Sequence, residues 1–140
     1  MDLKPYYEML ESCIQDLGVD PSQTRGEKEG QWDLYKGSAH VMIDIFEHSN
    51  GYGYFQCIAP ISEIPDERRV EFLEEVLDTA HQLFGAGFTK FKNWIYIKML
   101  RELDGIDKSE ITATINRIGN YADDYDDYFK KKYFEGGREE

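Results

Sequence analysis

Along this chain the apolar residues repeat first at helical spacing, then at every second position, then at helical spacing, at every second position, and at helical spacing again. Spacing of this kind follows from which side of an element must be buried, about 3.6 residues per helical turn and two per strand repeat, so it constrains the fold more than composition does. Turn residues separate the segments. The expected order is α-β-β-β-α-β-β-α, an α+β fold with an antiparallel sheet and flanking helices.

Leu3, Tyr7, Leu10, Ile14 and Leu17 fall on one stripe of a first helix, which Asp2 can cap and Gly18 ends. Polar residues from Val19 to Gly30 make a loop. Gln31 to Lys36 reads as a short strand, and a longer one after Gly37 alternates Val41, Ile43 and Ile45 with His40, Met42, Asp44 and Phe46. Asn50-Gly51 favours a hairpin turn, Tyr54 to Ile61 returns, and Pro60 with Pro65 closes that strand. Pro65, Asp66 and Glu67 open a second helix whose stripe is Val70, Leu73, Val76, Leu77, Ala80 and Phe84, ended by Gly85 and Gly87. Phe88 to Phe91 and Trp94 to Leu100 form a second hairpin. Asp107 and Glu110 make a capping box for a long last helix carrying Ile111, Ile115, Ile118, Ala122, Tyr125 and Phe129. Residues 1–135 read as one domain and 136–140 as a frayed tail.

A chain of 140 residues can bury a core without staples. Its 16 basic and 28 acidic residues give a net charge of -12, a field that repels phosphate backbones and anionic lipids. Neither nucleic acid nor membrane is expected as a partner. Cys13 and Cys57 are too few for a disulfide scaffold, and no apolar run approaches the ~20 residues of a membrane span, so a cytoplasmic protein is expected.

Three groups of residues invite chemistry. Asp123, Asp124 and Asp127 gather on the last helix as Mg²⁺ or Ca²⁺ ligands do, and a divalent-metal-dependent enzyme or metal sensor is the alternative function they suggest. Short aspartates on one straight helix cannot wrap an ion with roughly six oxygens, so a solvated face relieved by Lys130 and Lys131 fits better. His40, Asp44 and His48 share a strand face, but positions four apart on a strand lie ~13 Å apart, too far to share one ion. Both cysteines fall on apolar faces, where a thiol behaves as a small hydrophobe. No catalytic residues, metal site or cofactor is expected.

The sheet itself carries the remaining signal. One face is apolar: Val41, Ile43, Ile45, Phe55, Cys57, Ala59, Ile95, Ile97 and Met99, which the terminal helices should cover. The other is rich in Met42, Phe46, Tyr54, Ile58, Trp94 and Tyr96, more than a solvated antiparallel sheet face normally shows. Either the second helix or another chain should lie over it, or that helix contributes to a dimer. The six residues are the expected partner-binding surface.

The stretches Trp32 to Ile45, Tyr54 to Ile61 and Arg101 to Asp104, together with the element order, resemble the YbjN-like family, whose fold is similar to that of type III secretion chaperones such as the Tir chaperone. The resemblance covers nearly the whole chain. It implies a secretion-chaperone-like α+β domain, often a homodimer, that binds protein partners in a chaperone-like or regulatory role and is not an enzyme.

Overall fold

A computed structural model of the chain describes residues 1–135, so the expected frayed tail at 136–140 lies outside the described residues. Helix α1 (Lys4–Asp16) leads through a loop to a meander of β1 (Gln31–Lys36), β2 (Ala39–Glu47) and β3 (Gly53–Glu63). Helix α2 (Arg69–Ala80), the hairpin β4 (Gly87–Phe91) and β5 (Trp94–Glu102), and α3 (Lys108–Tyr133) follow. The strands form one antiparallel sheet in the order β1-β2-β3-β5-β4. This is the expected α+β order.

Local chemistry sets the element ends. Asp2 Oδ1 accepts the N–H of Lys4 at 3.1 Å, and Gly18 takes φ +88° just past the end of α1. Asp107 Oδ1 accepts the N–H of Glu110 at 2.8 Å, the expected cap of α3, and that bond holds the Asp107 carboxyl below its ordinary pKa.

Of the boundaries that differ from expectation, two have a clear local cause. Strand β3 does not stop at Ile61 but runs through Pro60 to Glu63. Proline has no N–H to donate, and the pairing with β5 shifts register between Pro60 and Ser62, a bulge that lets the strand continue. Helix α2 begins at Arg69 rather than Pro65, because Arg68 sits in the left-handed region at φ 60°. Its guanidinium pairs with Glu71 at 2.9 Å, donates to the Lys132 carbonyl at 3.1 Å and lies 4.5 Å over the Tyr133 ring. These contacts hold a conformation that a non-glycine residue adopts at a cost.

The stripe of α2 also differs. Phe72 and Val76 are the buried residues, whereas Val70 and Leu77 face water at 69% and 71% exposure, and Phe84 lies beyond the helix end at 79%. Both stripes obey helical spacing, so the neighbour chooses between them. That neighbour is the end of α3, where Phe72 meets Phe129 and Tyr133 edge-on at 5.2 and 5.0 Å between ring centres. Glu75 completes the contact, accepting from the hydroxyls of Tyr128 and Tyr133 and pairing with Lys132 at 3.0 Å. Burial opposes ionisation of Glu75, yet these donors outweigh it and hold the carboxyl below its usual range.

The core lies between α3 and the apolar sheet face, as expected. Val41, Ile43, Ile45, Phe55, Cys57, Ala59, Ile95 and Ile97 are buried against Ile111, Ile115, Ile118 and Ala122 of α3, with Met99 partly buried beside them. Helix α1 adds Leu10, Cys13 and Ile14 and is tied to the start of α3 by Lys108, which reaches Asp16 at 2.8 Å and Ser12 at 2.7 Å. Among the described residues, every helix thus packs on the same side of the sheet.

Candidate functional site

That one-sided packing leaves the second face of the sheet without a helical cover among the described residues, and it settles a choice left open by sequence. Helix α2 does not shield Met42, Phe46, Tyr54, Ile58, Trp94 and Tyr96, because its Phe72 ring turns to Phe129 and Tyr133 of α3 and the helix lies beside the edge strand β4. Five of these side chains are half-buried, and Trp94 is 41% exposed.

Strand register assembles them in rows. Met42 lies opposite Ile58, Asp44 opposite Gln56, and Phe46 opposite Tyr54, and Tyr96 stands opposite Pro60. Phe46 and Tyr54 stack at 5.8 Å, and Asn50 donates to the Tyr54 hydroxyl at 2.9 Å, which fixes that ring at the sheet end. Trp94 sits opposite Phe91 on β4 and Glu63 on β3. The six expected residues therefore share one face, with Trp94 toward the β4 edge and Phe46 at the far corner.

Several members of this face were missed by the sequence reading. Leu100, 45% exposed, continues the alternation of Trp94 and Tyr96 and lies opposite Gln56. The same period-two count that found its neighbours would have found it. Tyr35 stacks on His40 at 4.8 Å, and His40 Nε2 lies 2.7 Å from Asp33. Only the β1–β2 register brings these together.

The most enclosed acid on this face is in its middle row. Asp44 is half-buried beside Gln31 and Gln56, the latter donating at 3.4 Å. Burial pushes its carboxyl above the usual range, the two amides oppose that rise, and Asp33 adds to it. Lys98, opposite Ile58, is in a different row.

On the last helix the acids that sequence offered as an alternative metal site are divided between a turn and solvent. Asp123 accepts the N–H and hydroxyl of Ser38 at 2.9 and 2.7 Å, and Asp126 accepts the same hydroxyl at 3.2 Å. These acids hold the β1–β2 turn against α3. Asp124 and Asp127 are exposed and contribute no shared ligand set, and the described residues contain no cluster of three or more metal-type side chains. Lys130 reaches Glu135 at 3.6 Å rather than Asp126. Cys13 and Cys57 are both buried, as expected, and burial pushes the Cys57 thiol up, away from the reactive thiolate.

A cleft of roughly 850 Å³ lies elsewhere, between the start of α1 and the loop before β1. Arg25 forks onto Glu11 with two bonds of 2.8 Å, and Trp32 donates to the same carboxylate at 2.9 Å. Those bonds hold the Glu11 carboxyl below its ordinary range and engage both of its oxygens in structure. No helix among the described residues is long and apolar enough to cross a membrane.

Neither a protein family model nor a curated protein sequence matches the chain. Among solved structures, it is similar to a chain of the HopA1–SchA chaperone–effector complex, with 8% identity over 91% of this chain and 98% of that one at a TM-score of 0.65. A chain of the ExsC–ExsE complex gives 12% identity over 95% and 97%, also at 0.65. The heterodimeric ExoU–SpcU complex from the type III secretion system of Pseudomonas aeruginosa gives 8% over 85% and 96%, at 0.62. At such identities the likeness lies in the backbone, and the chain has a type III secretion chaperone-like fold.

Proposed function

We propose that this chain is a non-enzymatic protein-binding domain with a chaperone-like or regulatory role, in keeping with its YbjN-like resemblance. It holds an extended apolar segment of a partner protein against Met42, Phe46, Tyr54, Ile58, Trp94 and Tyr96. The supporting observation is the sheet's second face, which carries apolar rows on either side of Asp44 and Gln56 and is bare of helices among the described residues. Covering a large apolar side chain contributes ~1.5–3 kcal/mol, so several held together reward a partner that seals them from water. The structures sharing this fold are a chaperone–effector complex and two further complexes, one of them a heterodimer from a type III secretion system.

The chain supplies its own reporter for this. Of its two tryptophans, Trp32 is buried at 3% exposure and Trp94 lies on the bare face. Addition of a chemically unfolded test protein is expected to shift the emission of Trp94 to the blue and to be met by suppressed aggregation of that protein. The Phe46→Ser, Trp94→Ser double variant should keep its far-ultraviolet circular dichroism and lose the suppression. Undiminished suppression by that variant counts against the surface.

Homodimerisation belongs to the same reading and uses a different surface. Val70 and Leu77 lie two turns apart on the outer stripe of α2, and Phe84 follows it, all exposed. Light scattering is expected to give twice the chain mass for the protein and the chain mass for Leu77→Asp. A monomeric parent protein removes the dimer.

A further inference from the structure

We infer that the segment bound on the bare sheet face carries a lysine or arginine between apolar residues, spaced so that the cation meets Asp44. This rests on the docking role proposed above and names its partner's chemistry. Asp44 sits in the middle row of the face, with Met42 and Ile58 in the row on one side and Phe46 and Tyr54 in the row on the other. Among the described residues no Lys, Arg or His pairs with it; its side-chain partners are the neutral amides of Gln31 and Gln56. An occupant covering the apolar rows also covers this carboxylate. Taking a carboxylate further from water without a cation is costly, and a charge-assisted bond offsets that cost.

Spacing sets the pattern. Side chains on one side of an extended chain recur every ~6.6 Å, the same step that separates Met42, Asp44 and Phe46 along β2. A segment lying along β2 and β3 therefore presents an apolar side chain, a basic one and an apolar one at alternate positions. Charge argues against a second copy of this chain as the occupant. The face carries Asp44, Glu63 and Glu102 against Lys98, with Asp33 hydrogen-bonded to His40. Two such faces together would set acid against acid.

The test is selection from a displayed library of random peptides of about 12 residues, long enough to span a strand of the sheet. It is run in ~0.15 M salt, where attraction to the overall charge is screened beyond ~8 Å. The targets are the full chain and its Asp44→Asn, Asp44→Lys and Phe46→Ser variants. Peptides enriched on the parent protein are expected to place Lys or Arg two residues from apolar neighbours. Changing that cation to Glu should weaken binding by about tenfold or more, and Asp44→Lys should reverse the preference, with Asp44→Asn in between. Enriched peptides that are merely apolar, lose binding to Phe46→Ser and ignore both Asp44 variants overturn this inference and leave the docking role standing. A library yielding nothing, or peptides indifferent to Phe46→Ser and to Asp44→Lys alike, overturns both.

Discussion

Phe129→Ala is expected to lower the unfolding free energy by about 3–5 kcal/mol, read as a shift of the urea midpoint with an unchanged slope. The ring is fully buried near the end of α3, with Phe72 at 5.2 Å, Phe88 at 6.4 Å and Tyr125 at 6.1 Å. Few neighbours can collapse into the space it leaves, because Tyr133 is held by Glu75 and by the Arg68 guanidinium above it. The effect should also be directional. Helix α2 is tied to α3 through this aromatic cluster, beside its contact with β4 and the 3.0 Å bond from Arg69 to Asn93, so its amides should exchange with solvent before those of β2 and β3. A loss below ~1.5 kcal/mol would mean that the cluster packs loosely and that α2 is held by other contacts.

Gly30→Ala should be nearly as damaging, at about 2–4 kcal/mol, although it adds a single methyl group. Gly30 adopts φ +88°, and its carbonyl accepts the N–H of Ile45 at 2.9 Å where the chain enters β1. An added Cβ would lie 2.6 Å from the Ile45 carbonyl oxygen and 3.1 Å from the Tyr7 hydroxyl. Backbone in the middle of a ladder cannot step aside as a side chain can. Gly119→Ala makes the informative contrast. Its Cβ would come 2.7 Å from Lys36 Cδ, in a flexible side chain that can swing away, and α3 gains up to ~1 kcal/mol in helix propensity. Thermal unfolding should therefore separate the two variants by many degrees, and equal losses would show that crowding alone, rather than backbone angle, governs both sites.

The architecture was readable because burial imposes a period on every element with one wet side. Val41, Ile43 and Ile45 could alternate with His40, Met42 and Asp44 only in a strand, and Asp107 with Glu110 marked the start of α3 before any coordinate did. What stayed out of reach depends on contacts between distant parts. Helix α2 carries two legal stripes, and only the rings of Phe129 and Tyr133 select Phe72 over Val70 and Leu77. Arg68 takes its left-handed angle because of Glu71, Lys132 and Tyr133, two of them some sixty positions away.

The candidate surface divides in the same manner. Its six residues were legible from alternation, but whether anything in the chain covered them was not, because a period names two faces without saying which one the helices choose. The acid cluster shows the opposite failure. Asp123 looked available for a ligand in the linear text, yet the β1–β2 turn had already taken it through Ser38.

That every helix rests on one side of the sheet, with α3 supplying most of the cover, bears on how the molecule comes into being. The meander of β1, β2 and β3 is synthesised well before the helix that shelters Ile43, Phe55 and Cys57. Until Lys108 and the residues after it have left the ribosome, the nascent sheet is greasy front and back. Its maturation waits on a closure between distant parts of the polypeptide, a pairing of the slow kind, and this is the interval in which the newborn chain most needs an escort of its own.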